Sequence, residues 1–448
     1  MRADGRTDGQ TDRRTSRSTT KVLGKSSLLL IGLLFAIVGT SAPQNRPPVR
    51  PSARPPVLTV YLMTMGPGKA VWERFGHNAI WIHDPERGTD QAYNYGLFDL
   101  NQEKFLVRFL QGRMWYWMQG FPAESYVQLY RRANRSVWVQ ELEMPLEARR
   151  ELQEFLEWNE RPENRFYHYD YYRDNCSTRV RDALDHALGG RIRDYASPRP
   201  TGKTYRFHTQ RLTANDPLIY SGLLLALGHP VDREISAWEE MFLPLALRDH
   251  LRKITVTGDE GAELPLVRSE RTLFESSAPP PPVQPPAWLP IYLAIGIAFG
   301  LTIFVAAIGG RDSGPARRSF VVLSVSWAFV AGILGLVLVG LWTLTDHTAA
   351  YSNENVLQAN PLALALVWLL PAAERRSWRD RPGLIVAGII AAVSLAGLLL
   401  KLLPTFYQVN AEVIQVNAEV IALALPIHLG IAAGVWQLRR SPSTRESP

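Results

Sequence analysis

The chain has 448 residues, 46% of them hydrophobic, a single cysteine and a formal net charge of +7, which excludes a minimal module and any intramolecular disulfide. Residues 1–25 carry seven basic and three acidic side chains, residues 311–448 carry eleven and eight, and the stretch between carries 31 of each. A nucleic-acid binder concentrates positive charge on its folded domain; here the surplus flanks apolar segments, as it does where basic residues hold membrane topology, so nucleic acid is excluded as a partner.

At the N-terminus a basic region ending at Lys21 and Lys25 precedes the apolar run Leu28 to Val38 and the small residues Gly39, Thr40, Ser41 and Ala42. This is a secretory signal pattern over residues 1–42. Pro43 disfavours cleavage directly after Ala42, so the cut falls elsewhere or the segment stays as an anchor; export follows either way. Cys176 is the only thiol, so no acceptor for lipidation lies near this signal.

The exported part, residues 43–277, mixes alternating and helical patterns and is expected to be an α+β domain. VLTVYLM (57–63), HNAIWIH (77–83) and SVWVQELEM (136–144) are predicted strands, and Pro145 opens a predicted helix to about Trp158 with Leu152, Phe155 and Leu156 on its buried stripe. In the segment from Tyr167 to Gly190, Val180, Ala183, Leu184, Ala187 and Leu188 recur at helical spacing and Gly189 and Gly190 stop the helix. Asp174 or Asn175 is the expected N-cap. That puts Cys176 in the first turn, where free N–H groups and the helix dipole favour a thiolate or bind an oxyanion. A polar frame of Asp174, Asn175, Ser177 and Thr178 is a poor place for an inert cysteine, so a nucleophile is expected. Among nine histidines His77 is the best-placed base, on a strand; alone, such a histidine is more often structural.

Residues 278–286 contain six prolines and form a linker. Apolar blocks follow at about 289–308, 320–343, 383–403 and 420–437, each near the ~20 residues a spanning helix needs, with a shorter block at 356–373 interrupted by Asn360 and Pro361. Counting the short block as a span puts Arg311, Arg317 and Arg318, the cluster Arg375, Arg376, Arg379 and Arg381, and Arg439, Arg440 and Arg445 all on the inside. Omitting it puts the Arg375 cluster outside, against the positive-inside rule. Five spans over 287–438 and a cytoplasmic tail, 439–448, are therefore expected. The tandem QVNAEVI at 408–414 and 415–421 is read as a two-turn helical insertion without assigned function.

The pieces FGHNAIWI (75–82), AYNYGLFD (92–99) and DNCSTRVRD (174–182), followed by a multi-span half, resemble the Lnb-type bacterial lipoprotein N-acyltransferases. The exported domain is by that likeness similar to a permuted papain-like fold, as in NlpC-type peptidases and lecithin retinol acyltransferase, in which the histidine precedes the cysteine. The resemblance implies His77 as base and Cys176 as nucleophile. It further implies a phospholipid as acyl donor and the α-amine of a diacylglyceryl-cysteine lipoprotein as acceptor, in the inner membrane with the thiol domain in the periplasm. Asn94 or Asp99 is the third, orienting residue. His83 shares the face of His77 but lies about 20 Å along at ~3.3 Å per residue, outside the site. Trp115, Tyr116, Trp117 and Phe121 belong to the core or meet acyl chains. Arg179 and Arg181 are solvated helix charges or a phosphate clamp, and the loop from Asp346 to Asn360 is solvated or holds the catalytic domain. No zinc-protease helix, cysteine-pair metal site, phosphate loop or dinucleotide fingerprint is present in the sequence, so no cofactor is expected. The rival activities are a cell-wall amidase or peptidase of the same fold, and a non-catalytic envelope binding protein.

Overall fold

The computed structural model describes residues 57–257, 261–375, 381–402 and 417–440. The expected signal segment, Arg376 and Arg379, the first QVNAEVI copy with the start of the second, and the tail from residue 441 lie outside the described residues. In chain order the exported half comprises β1 (Thr59–Met65), β2 (His77–Asp84), β3 (Thr89–Leu97), α1 (Phe105–Gln111), β4 (Trp115–Pro122), α2 (Ala123–Arg132), β5 (Val137–Leu142), α3 (Leu146–Glu160), β6 (Phe166–His168) and α4 (Cys176–Ala187). It continues with α5 (Arg191–Ala196), β7 (Pro200–Thr204), α6 (Tyr205–Thr213), α7 (Pro217–Ala226), β8 (Glu234–Ser236), α8 (Ala237–Glu240), α9 (Pro244–Leu251), β9 (Thr255–Thr257), β10 (Glu263–Pro265) and β11 (Val267–Phe274). The helical half follows with α10 (Leu289–Gly309), α11 (Gly314–Leu344), α12 (Leu364–Arg375), α13 (Arg381–Leu399) and α14 (Ala418–Arg439).

Seven strands form one antiparallel sheet in the order β11-β5-β1-β2-β3-β4-β6. Period-two alternation sends Val60, Leu62, Ile80 and Ile82 to one face, against Leu152 and Leu156 of α3 and Val180 and Leu184 of α4. Met63, Met65 and Ala79 go to the other, against Tyr126, Val127 and Tyr130 of α2. Each fully buried aliphatic side chain contributes roughly 1.5–3 kcal/mol, so the two layers fix the register of β2 and the position of the start of α4. The three predicted strands and both predicted helices form, and the five helical positions anticipated on α4 are all buried.

Among the described residues five helical segments are long and apolar enough to cross a membrane: Leu289–Gly309, Gly314–Leu344, Glu354–Arg375, Arg381–Leu399 and Ala418–Arg439. The third is the short block. Its break at Asn360–Pro361 becomes a one-turn helix in which Asn360 Oδ1 accepts from Leu362 N–H at 2.9 Å, and α12 completes it. Small residues let α10 and α14 pack backbone to backbone, with Gly296, Gly300 and Gly430 at their contact.

The segment between α11 and α12 holds the exported domain, which decides between the two expectations for that loop. Asn353 Nδ2 donates to the carbonyls of Leu225 and Ala226 at 2.8 and 3.0 Å, and Asn355 Nδ2 to those of Leu224 and Leu225 at 3.1 and 2.9 Å. These are the last carbonyls of α7, which have no partner within the helix. Gly228 N–H bonds Ala349 O at 2.8 Å and His229 N–H bonds Tyr351 O at 3.1 Å. A Cβ on Gly228 would lie 2.0 Å from Tyr351 O, so only glycine admits this approach. Tyr220 of α7 reaches Glu419 of α14 at 3.3 Å, and Lys401 pairs with Glu354 at 2.6 Å.

Candidate active site

The candidate residues gather at one end of the sheet, where β2 begins, β3 departs from regular pairing with β4 after Asn94, and α4 starts. His77 is the first residue of β2 and Cys176 the first of α4. Gly96 lies at the irregularity with φ +94°, a left-handed value. A Cβ built on it would stand 3.2 Å from Cys176 Cβ and 3.8 Å from His77 Cε1, so a single methyl-sized volume touches both residues.

Asn94 and Asp99 separate cleanly. His77 Nε2 donates to Asn94 Oδ1 in a short hydrogen bond, which leaves Nδ1 as the nitrogen with a free lone pair. Asp99 instead accepts Asn101 N–H at 2.8 Å in a turn. The His77 ring is stacked with Tyr130, centroids 6.3 Å apart, and meets Tyr126 edge-on at 6.5 Å. The Arg135 guanidinium covers the far face of that layer, 4.6 Å from the Tyr130 ring, bonded to Gly66 O at 2.8 Å and to Glu73 at 3.2 Å.

Asn175 is the N-cap. Its Oδ1 accepts from Ser177 N–H at 2.8 Å and Thr178 N–H at 3.0 Å, and Thr178 Oγ1 accepts Asn175 N–H in return, a complete capping box. Its Nδ2 donates to Tyr171 O and Phe242 O. Ser177, fully buried, accepts from Asn78 Nδ2 at 3.0 Å and donates to Met241 O at 2.7 Å. Neighbours of His77 and Cys176 in sequence thus form a strut that fixes the two relative to each other. The backbone N–H groups of Asn78, Ser177 and Cys176 face the sulfur.

The electrostatics correct one expectation. Although both residues keep some open surface, the reacting atoms sit in an aromatic surround. Burial pushes the Cys176 thiol up to about 11 against the pull of these N–H groups and Arg135. Burial likewise pulls the His77 imidazole down to about 4, opposed by its bond to Asn94 and aided by Arg135. The resting pair is therefore neutral thiol and neutral imidazole; desolvation outweighs the helix terminus that was expected to favour thiolate.

The remaining candidates are otherwise engaged. His83 lies at the far end of β2, exposed and 3.2 Å from Asp90. Arg179 pairs with Asp174 and covers Tyr167; Arg181, rather than being solvated, is buried over Trp238 at 3.8 Å and donates to Trp238 O. Trp115, Trp117 and Phe121 pack on His168, Phe166 and Tyr126, while Tyr116 stacks on Tyr169 beside the thiol. Among the described residues no group of three or more His, Cys, Asp or Glu is placed to hold a metal. Gly96, Asn78, Tyr130 and Arg135 escaped the sequence reading of the site, and Ser177 was read only as part of the polar frame around Cys176. An isolated glycine in the strand pattern YNYGLFD is a signal for a bulge, and Asn78 and Ser177 adjoin the two singled-out residues, but Tyr130 and Arg135 carry no local mark.

Two family models match the chain. The Lnb N-terminal periplasmic domain matches residues 48–211 and the Lnb transmembrane domain residues 286–405. Searches of curated proteins and of solved structures return no match.

Proposed function

The chain belongs to the Lnb family, a membrane enzyme of lipoprotein maturation with a periplasmic domain and five spans in the inner membrane, and on that premise we propose that it moves an acyl chain from a phospholipid to the α-amine of a diacylglyceryl-cysteine lipoprotein through a thioester on Cys176. The observation that supports this most is the convergence of Cys176, His77 and Gly96 in one volume, with the second nitrogen of His77 held by Asn94.

In this scheme His77 Nδ1 takes the Cys176 proton as the sulfur attacks the ester carbonyl carbon. Because both groups rest neutral, proton transfer and attack proceed together. The carbonyl oxygen becomes an oxyanion, for which backbone N–H groups at the start of α4 are the nearest donors. The C–O bond then breaks, the imidazolium returns its proton to the departing lysophospholipid oxygen, and a thioester remains. The lipoprotein amine attacks that carbonyl, the C–S bond breaks, the sulfur recovers a proton through His77, and an amide is formed. Asn94 keeps the imidazole in the tautomer this requires.

Mass spectrometry of lipoprotein N-termini, from cells with the wild-type protein and with Cys176→Ala, tests the proposal. N-acylated lipoprotein in the first and none in the second is expected. A cell-wall amidase leaves lipoprotein N-termini alike in both, and a binding protein retains its effect without the thiol.

A further inference from the structure

Helix α1, FLVRFLQ, buries none of its residues. Leu106, Val107, Phe109 and Leu110 are 67%, 50%, 40% and 59% exposed, an apolar surface that a helix facing water would turn inward. Its C-terminal end is tied to the membrane half: Asp346 N–H bonds Gln111 O at 2.7 Å, His347 Nε2 donates to Phe109 O at 2.9 Å, and Arg113 pairs with Asp346 at 2.6 Å. Asp346 follows by two residues the end of the span α11, where Trp342 and Leu344 are exposed. Tryptophan at a span end marks the membrane–water interface, so α1 lies at that depth, continuous with the span. Lys104 pairs with Glu103 at 3.5 Å and Arg113 with Asp346, whereas Arg108, in the last turn of α1, bonds only the neutral Gln102 Oε1 and Glu103 O and is the cation an interfacial helix would turn to an anionic headgroup.

From α1 a row of rings leads inward. Phe109 to Phe105 and Phe105 to Phe98 are 6.2 Å apart, Phe98 to Tyr116 is 5.0 Å, and Tyr116 to Tyr169 is 4.2 Å. Tyr116 and Tyr169 pack in the same cluster as Cys176. A second row returns to the membrane side, Tyr169 to Tyr171 at 5.7 Å and Tyr171 to His347 at 6.3 Å. We propose that α1 and this aromatic path are the acyl-chain surface for the donor phospholipid, taking one tail from the bilayer to the thiol while Arg108 faces its phosphate. A tail that crossed water instead would lose ~0.8 kcal/mol for each CH₂ exposed. The proposal rests on the reading above in taking a phospholipid as the acyl donor and Cys176 as the destination.

The test uses the full-length protein in phosphatidylethanolamine–phosphatidylglycerol vesicles containing a phospholipid with a diazirine at the tail end, irradiated and mapped by peptide mass spectrometry. Adducts within residues 98–116 are expected, falling at least tenfold in a Leu106→Asp/Leu110→Asp protein together with thioester formation from vesicle phospholipid. A Leu264→Asp control, on the exposed strand β10, behaves as wild type. Adducts confined to the span helices, or undiminished acylation in the double variant, overturn the proposal. The wild-type adduct map decides it even if the double variant does not fold. Tail adducts on α1 without acylation of Cys176 would instead sustain the lipid surface and refute the catalytic reading.

Discussion

Desolvation sets the chemistry available to Cys176 and His77. With the thiol raised to about 11 and the imidazole lowered to about 4, the base is unprotonated throughout the neutral range. Acyl transfer is then expected to hold steady near neutrality and to fall as the pH drops through about 4, where His77 binds the proton it must otherwise accept. Alkylation of Cys176 by iodoacetamide should be slower near neutrality than that of a free thiol and climb toward pH 11, whereas a preformed thiolate–imidazolium pair gives rapid alkylation under mildly acidic conditions. His77→Ala should lower acyl transfer by about 10² or more, the scale of a lost general base. Gly96→Ala should be comparably damaging, because its Cβ would touch both nucleophile and base, and should also cost stability, because φ +94° strains a residue with a Cβ; kinetics beside an unfolding curve will separate the two effects. That Cys176 opens a helix and His77 a strand was legible from local motifs, whereas their meeting was expected only through the resemblance, and Asn94 stood level with Asp99 until the fold set it against His77. Gly96 was not legible, since its role exists only once β3 bulges and α4 crosses its end. The protonation state was also hidden, because burial is a property of the assembled tyrosines and not of the first turn of α4.

At the scale of elements, the start of α4 depends on a segment far away in sequence. Met241 and Phe242 carbonyls hold Ser177 and Asn175, and those carbonyls are themselves anchored by the neighbouring Glu240. Glu240 accepts from Lys203 at 3.0 Å and from His250 at 2.8 Å, with His208 at 3.2 Å. Burial alone would raise the Glu240 carboxyl, but the hydrogen bonds from His208, His250 and Lys203 outweigh it and hold its pKa well below the ordinary value. A depressed carboxylate contributes stability above its unfolded pKa and loses it as pH falls toward the folded one, so this contribution is complete near neutrality and erodes only in acid. Glu240→Gln should destabilise the protein by roughly 3–5 kcal/mol, as expected for breaking a buried charge network, and Asn175→Ala by about 1–2 kcal/mol through the lost cap; thermal unfolding in detergent measures both. The places of β1, β2, β5, α3 and α4 were readable from alternation, helical spacing and breakers, with β1 displaced by two residues from the expected 57–63 and β5 shorter than the expected 136–144. The three-residue β6 and the small pairs β7–β8 and β9–β10 were not, since strands of three to five residues carry too few positions to show a period.

The whole molecule is a sheet-rich domain set against a membrane bundle by way of the segment between α11 and α12. Asn353→Ala with Asn355→Ala would strand the carbonyls that close α7, at about 1–3 kcal/mol for each buried group left unpaired, and should loosen the periplasmic domain from the spans, seen as faster proteolysis of intact protein in vesicles. With Cys176 replaced by alanine, cysteines placed at Glu86 and at Ser313 should respectively react with and resist an impermeant maleimide in spheroplasts, in line with the arginines that flank the inner ends of the spans. The five spans were legible because length, composition and charge asymmetry act locally; the docking segment was not, because a polar loop reads the same whether it meets water or the carbonyls of another helix. The central claim is that this arrangement exists to carry an acyl chain on sulfur. Intact-mass measurement of the detergent-solubilised protein after exposure to phospholipid, with no amine acceptor present and quenched on the millisecond scale, tests it most directly. A fatty-acyl increment on Cys176 that hydroxylamine removes, absent from Cys176→Ala, is the predicted result; normal lipoprotein N-acylation by the Cys176→Ala protein, with no such increment on the wild type, would contradict it.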